Sequence, residues 1–161
     1  MIVIVMGVVG AGKTTIGRLL AEQLKWEFAD ADNFHPQSNV EKIRRGVPLT
    51  DEDRSPWLES LRASIFQWIT QNQNVVLACS ALKQSYRERL GAGPEVRFVY
   101  LKGTPELIAE RLRARHGHFA DQQILASQFA DLEVPEPAVT VEISGAPQQI
   151  VTEIRQKLGL S

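Results

Sequence analysis

The chain carries Ile2-Val3-Ile4-Val5-Met6 followed at once by Gly7-Val8-Val9-Gly10-Ala11-Gly12-Lys13-Thr14. The second stretch fits G-x-x-x-x-G-K-[ST], the phosphate-binding loop. The first is short, wholly apolar and rich in β-branched residues, the pattern of a strand buried on both faces. Downstream, Ile16, Leu19, Leu20 and Leu24 recur at helical spacing. The loop therefore joins a strand to the first turn of a helix, where unpaired backbone N–H groups and the positive dipole end attract an anion. Gly7, Gly10 and Gly12 allow the backbone to curl around phosphate oxygens, and together with Ala11, Lys13, Thr14 and Thr15 they form the candidate nucleotide-binding set. Lys13 is expected on the β- and γ-phosphates and the Thr14 hydroxyl on Mg²⁺. A dinucleotide-binding turn would need G-x-G-x-x-G and has no use for Lys-Thr, so the spacing excludes it.

After this helix a second strand is expected at Glu27-Phe28-Ala29, ending in Asp30-Ala31-Asp32. Residues 33–53 are irregular or shortly helical. Ser55-Pro56 reads as a helix start, with serine as N-cap and proline at the first helical position, and the helix runs to about residue 72. Strands at 75–78, 96–101 and 139–143 alternate with helices at about 84–90, from Pro105, around 124–132, and over Ile150, Ile154 and Leu158. This alternation predicts one α/β domain over 1–161, a parallel sheet covered by helices on both faces. Right-handed crossovers bring the carboxyl ends of all strands to one edge, so the loop, Asp30/Asp32, Cys79-Ser80 and Lys102-Gly103 can face one cleft.

The composition narrows the class. Eighteen basic residues against nineteen acidic ones leave a net charge of -1, which does not point to a nucleic-acid or membrane-surface partner. The single cysteine, Cys79, cannot form an internal disulfide, no apolar run has transmembrane length, and residues 1–6 lack the features of a signal peptide. A cytoplasmic protein is expected. His116 and His118 lack partners at metal spacing, so no zinc site is expected there.

Phosphoryl transfer also needs a carboxylate near the metal and a group to take the acceptor's proton. The acidic residues expected at a strand's carboxyl end are Asp30 and Asp32, whose i, i+2 spacing in an extended chain sends both side chains the same way. Asp30 is the candidate metal residue and Asp32 the candidate base. Their other reading is an aspartate turn or helix cap.

Taken together, Asp30-Ala31-Asp32-x-x-His35-Pro36 with Asn39 and Lys42, the run Gly46 to Leu58, Ala78-Cys79-Ser80-Ala81-Leu82-Lys83 with Tyr86-Arg87, and Gly117-His118-Phe119 followed by Ser127-Gln128-Phe129 resemble the gluconokinases. The resemblance runs from the phosphate loop to about residue 135. It implies ATP-dependent phosphorylation of D-gluconate at its 6-hydroxyl, a nucleoside-monophosphate-kinase-like fold with a mobile lid at about 113–130, an acceptor-binding segment at about 33–58, and a homodimer. An anionic polyol needs a cation for its carboxylate, and Arg54 and Arg87 are the candidates, since the arginine fork suits that group. His35, Asp32, Lys83 and His118 complete the expected acceptor set. Arg54 has a second reading as a surface pair with Asp51 or Asp53, and Lys83 with Arg87 as one solvated helical face. Trp57 and Trp68 read as core residues.

Arg111 and Arg115 share a helical face before a glycine-containing loop, so a closing lid could bring them onto the transferring phosphoryl group. Their other reading is a basic helix end complementing its dipole. Val9 and Ala11 stand where the family usually has serines, and the chain beyond Pro135 lacks an acidic pair often seen there, which leaves the adenine contacts unassigned. Two other functions fit the phosphate loop: a shikimate-kinase-like enzyme for another small hydroxy acid, and a nucleotide-gated regulatory protein. The first would want a triple-glycine turn where Cys79-Ser80-Ala81 stands, and the second leaves residues 33–54 without a purpose.

Overall fold

The computed structural model describes residues 1–91, 93–115, 119–135 and 138–160, with the backbone alone at 115 and 119–123. β1 (Ile2–Met6) is the middle strand of a parallel sheet whose order is β2-β3-β1-β4-β5. The flanking strands are β2 (Glu27–Asp30), β3 (Val75–Ala78), β4 (Val96–Lys102) and β5 (Val139–Glu142). The continuous apolar character of β1 has a direct cause. Val3 and Val5 face one core with Ile16, Leu20, Ile150 and Ile154, while Ile2, Ile4 and Met6 face a second core with Trp57, Leu58, Leu61 and Ile65. The helices supplying these layers are α1 (Lys13–Leu24) and α7 (Pro147–Leu158) on the first face and α3 (Asp51–Thr70) on the second. α2 (Gln37–Arg44), α4 (Gln84–Leu90), α5 (Pro105–Arg115) and α6 (Phe119–Asp131) complete the element order. Among the described residues no helix is long and apolar enough to cross a membrane.

The strand order fixes the position of the site. β1 pairs with β3 on one side and β4 on the other, so the connections leaving its neighbours diverge above its carboxyl end. That divergence opens the crevice in which open α/β sheets bind ligands. The phosphate loop lies in it because it follows β1 directly.

Two local expectations are corrected. α3 begins at Asp51, not after Ser55: Thr50 is the N-cap, and its side chain and that of Asp53 satisfy each other's backbone N–H groups in a capping box. This reciprocal pair outcompetes a serine cap and carries Pro56 into the helix, where the ring supplies no donor to the preceding turn. The second correction concerns Asp30 and Asp32. β2 stops at Asp30, and Ala31–Phe34 winds into a 3-10 turn capped by the Asp30 carboxylate, which accepts the Asp32 N–H at 3.0 Å. The two carboxylates are therefore not parallel neighbours on an extended strand.

Candidate active site

Three adjoining cavities lie above the carboxyl edge of the sheet. The middle one, about 330 Å³, is bounded by Gly10, Gly12, Lys13, Thr14 and Thr15 of the loop and by Asp30, Asp32 and Cys79. Gly10 and Gly12 hold φ of 83° and 97°, the left-handed region that favours glycine. A Cβ on Gly10 would also stand 2.9 Å from the Leu112 side chain. Gly12 is the N-cap of α1, so the helix begins with its free N–H groups turned into this cavity's wall. Gly7 closes β1, and its N–H contacts the Ser80 carbonyl rather than the cavity.

Lys13 donates from Nζ to the Val8 carbonyl at 3.0 Å, bending back over the loop. Burial pushes its pKa down, and Asp32, Cys79 and Asp30 pull it back toward the charged form. The Asp32 carboxyl is shifted in the opposite direction. Loss of solvent and the neighbouring Asp30 raise its pKa, partly offset by Lys13. A raised carboxyl beside a phosphate cradle is closer to the range a general base needs at neutral pH. The Thr14 hydroxyl donates to Asp30 Oδ2 at 3.1 Å, so two hard oxygen donors stand together at the loop. Among the described residues no three His, Cys, Asp or Glu side chains group as a metal cage. Mg²⁺ does not require one, since it takes one or two protein oxygens and completes its octahedron with phosphates and waters. The donor set fits that ion.

A second cavity, about 240 Å³, shares Val9, Lys13 and Asp32 with the first and extends beneath α2, α3 and α6. Its walls include His35, Arg54, Trp57, Ser80 and Gln128, with an apolar side from Ile43, Val47, Pro48 and Leu49. Arg54 reaches it with both ends of its fork anchored: Nη1 donates to the Tyr86 hydroxyl at 2.8 Å, and Nη2 lies 3.4 Å from Asp131. Tyr86 in turn donates to Asp51, which also accepts from Lys83 at 2.9 Å. The alternative of an Arg54 pair with Asp51 or Asp53 is not what forms; Asp53 pairs with Lys42 at 2.8 Å. His35 stacks on Trp57 with ring centroids 4.4 Å apart and planes 12° from parallel. Trp57 is core, as its spacing implies, but it is also a wall of this cavity, and its indole N–H is fixed on the Ala31 carbonyl at 2.7 Å. Gln128 of α6 accepts the Val9 N–H at 2.6 Å, tying the roof helix to the phosphate loop.

The third cavity, about 360 Å³, lies on the other side of the loop. It shares Gly10, Gly12 and Thr15 with the middle one and adds Ala11, Arg111, Gly145 and Pro147. Arg111 borders it with Nη2 on the Ile143 carbonyl at 2.7 Å, and so stands beside the loop rather than folded over the phosphate cradle.

Not every expected residue converges. Arg87 is only 5 % exposed, and its guanidinium is spent on the Ala81, Leu82 and Glu133 carbonyls and on Gln84. The cause is the loop after β3, where Ala81 adopts φ of 45° and turns backbone acceptors inward that need donors. Arg87 thus holds the floor of the site and does not line it. Lys83 pairs with Asp51 at 2.9 Å and lines none of the three cavities. His118 and the Arg115 side chain lie outside the described residues. Sequence reading also missed Asn39 and Gln128 as working residues; both stand in quoted motif segments, but their role depends on partners far along the chain.

With this geometry in view, comparison with known proteins is direct. A family model described as shikimate kinase matches residues 9–158. The gluconokinase of Gluconobacter oxydans (strain 621H) is 43 % identical over 155 residues, covering 94 % of this chain and 87 % of the relative. The crystal structure of a gluconokinase from Sinorhizobium meliloti 1021 superposes with a TM-score of 0.87 at 38 % identity, covering 98 % of this chain and 90 % of the other. The shikimate kinase of Aquifex aeolicus vf5, at 17 % identity and a TM-score of 0.61 over 99 % of this chain and 96 % of its own, shares the fold alone. Family-level identity therefore runs with the gluconokinases and the wider fold with the shikimate kinases. The chain belongs to the gluconokinase family of phosphate-loop kinases.

Proposed function

We propose that the chain transfers the γ-phosphoryl group of ATP to the 6-hydroxyl of D-gluconate, with the nucleotide phosphates in the middle cavity and the sugar acid beneath α2, α3 and α6. The observation carrying this reading is that Lys13 and Asp32 border both cavities, so a phosphoryl group and an acceptor hydroxyl can meet between them. The third cavity, reached from the phosphate cradle past Gly10 and Thr15, is where the nucleoside would lie.

In this reading Arg54 receives the carboxylate. It is a fork pre-set by Tyr86 and Asp131 rather than a free side chain, so less rotamer freedom is lost on binding. Asp32 accepts the proton of the attacking hydroxyl as its oxygen bonds to the γ-phosphorus and the bond to the β-γ bridging oxygen breaks, releasing ADP. Lys13, leaving the Val8 carbonyl, and the N–H groups at the start of α1 balance charge on the transferring group. Thr14 and Asp30 would hold Mg²⁺, which when bound supplies neutralisation of the β- and γ-oxygens. Gln128 would release the Val9 N–H to the phosphoryl group, coupling the lid to occupancy of the cradle.

Steady-state ADP release with Mg-ATP tests the reading against gluconate, shikimate, an epimer of gluconate and no acid. Saturable stimulation by gluconate is expected. Equal turnover with and without acids, ATP still binding, would overturn it.

A further inference from the structure

Asn39 is a polar side chain only 2 % exposed, in the first turn of a helix that contributes little else to the core. Its amide nitrogen lies 2.7 Å from the Asp53 carbonyl and 3.2 Å from His35 Nδ1. A backbone carbonyl only accepts, so the atom facing it must be the NH₂ group and not the amide oxygen. That group has two hydrogens: one serves Asp53, and the other is directed at the imidazole nitrogen. Nδ1 must then be the bare, accepting nitrogen of a neutral ring, which leaves the hydrogen on Nε2. Stacking on Trp57, itself locked to the Ala31 carbonyl, prevents the ring from turning away.

We propose that Asn39 is a positioning residue that fixes His35 as a neutral Nε2–H donor in the acceptor cavity, and that this donor selects for a sugar-acid hydroxyl oxygen able to accept from it. The inference rests on the sugar-acid kinase reading for its substrate and on the Asn39–His35 geometry for everything else. It assigns His35 a definite chemistry. The ring cannot take the acceptor's proton, because its only unprotonated nitrogen is engaged by Asn39. That task is left to Asp32, and His35 can only donate.

The surroundings agree. Burial and then the charge of Arg54 lower the His35 pKa to about 4, so the ring stays neutral across the working range. Of the other charged groups on the elements around it, Lys42 of α2 and Asp53 of α3 are paired with each other, Asp51 of α3 is held by Tyr86 and Lys83, Glu41 and Arg44 of α2 and Glu52 of α3 are exposed, and Asp32 and Lys13 border the same cavity. A substrate lacking the hydroxyl at this point would leave a desolvated donor without a partner, a larger penalty than a lost contact alone.

The test begins with ¹⁵N-edited imidazole spectra of the full chain without ligand, the His35 signals being assigned by their loss in His35→Gln. Protonated Nε2 with bare Nδ1, and no titration between pH 8 and roughly 5.5, is expected. An Nδ1–H tautomer, or a ring titrating near pH 6.5, would overturn the proposal. Asn39→Asp replaces the donor by an acceptor and should move the hydrogen to Nδ1, giving the gluconate KM a pH dependence that the parent lacks while the ATP KM stays within about twofold. An unchanged tautomer and a flat KM profile in Asn39→Asp would refute the positioning role. His35→Gln, which keeps a donor near the Nε2 position, should hold the gluconate KM within a few-fold, whereas His35→Leu should raise it roughly tenfold or more. Equal losses in the two variants would also refute the proposal. Should Asn39→Asp fail to fold, the parent spectrum and the His35 pair still decide it. The spectra need no acceptor, so a failed tautomer with intact gluconate turnover sinks this inference alone. The predicted tautomer without gluconate turnover sinks only the substrate reading.

Discussion

Replacing Arg54 by Met removes the cation offered to the sugar-acid carboxylate while keeping much of the stem. Its local balance is readable from the structure: Arg54 and Lys83 offset Asp51 and Asp131 around the Tyr86 hydroxyl. Without Arg54 the cluster carries one excess negative charge facing an anionic substrate. A hydrogen bond to a charged group contributes about 1.5–3 kcal/mol, so the gluconate KM should rise roughly tenfold to a hundredfold, with kcat changed much less. The partly buried Asp131 loses its partner, and a modest fall in Tm, checked by thermal melts, is expected alongside. The control is the neutral polyol D-glucitol, which has no carboxylate, measured as a competitive inhibitor against gluconate. Its inhibition constant should change by less than about threefold between parent and variant. Coupled ADP-release assays provide all of these values. An equal loss for gluconate and glucitol would show that Arg54 shapes the pocket without reading the carboxylate, and a gluconate KM within about twofold of the parent would refute the assignment outright.

Asp32→Asn keeps the shape of the group but not its basicity, so kcat should fall by about 10²–10⁴ while ATP affinity, measured by calorimetry, is preserved; a fall below about tenfold would exclude Asp32 as base. Pro56→Ala restores a donor to the second turn of α3 and should stabilise the fold by about 1–3 kcal/mol, raising Tm by a few degrees in scanning calorimetry; a lower Tm would show that the ring is packed to advantage. For pH dependence, His35 has a native pKa of about 4 against an unfolded value near 6.5, so the unfolded chain binds the extra proton between them. Stability linked to His35 is therefore complete above about pH 6.5 and is lost as pH falls toward 4. Urea melts at pH 7 and 5 should show a smaller loss in His35→Gln than in the parent, and equal losses would contradict the burial argument.

The fold was legible because the hydrophobic pattern determines it locally. Ile2 to Met6 has no polar face, and Ile150, Ile154 and Leu158 form one stripe that packs on the same core as Val3 and Val5. The phosphate loop was legible because its function is carried by backbone, which needs only glycines at 10 and 12 and a helix after them. Side-chain roles were less so. Arg54 and Arg87 look alike in sequence and are separated by what their neighbours lack: the turn at Ala81 creates carbonyls that consume Arg87, while Arg54 finds Tyr86, thirty-two residues away. Ser55-Pro56 is a sound start signal in isolation, yet the Thr50–Asp53 box, reinforced by Lys42, wins one turn earlier. The Asn39–His35 pair shows the same limit, since its meaning depends on a carbonyl fourteen residues from Asn39.

The acceptor cavity proposed above is polarised, with Arg54 away from the cradle and Asp32 and Lys13 on the wall it shares with the phosphates. That polarity determines which carbon bears phosphate in the product of gluconate and Mg-ATP, a position read by ³¹P–¹H correlation spectroscopy. A single product phosphorylated at the terminal 6-hydroxyl, the group farthest from the carboxylate, is expected. Phosphate on a hydroxyl adjacent to the carboxylate, or ADP formed with no phosphorylated acid, would contradict it.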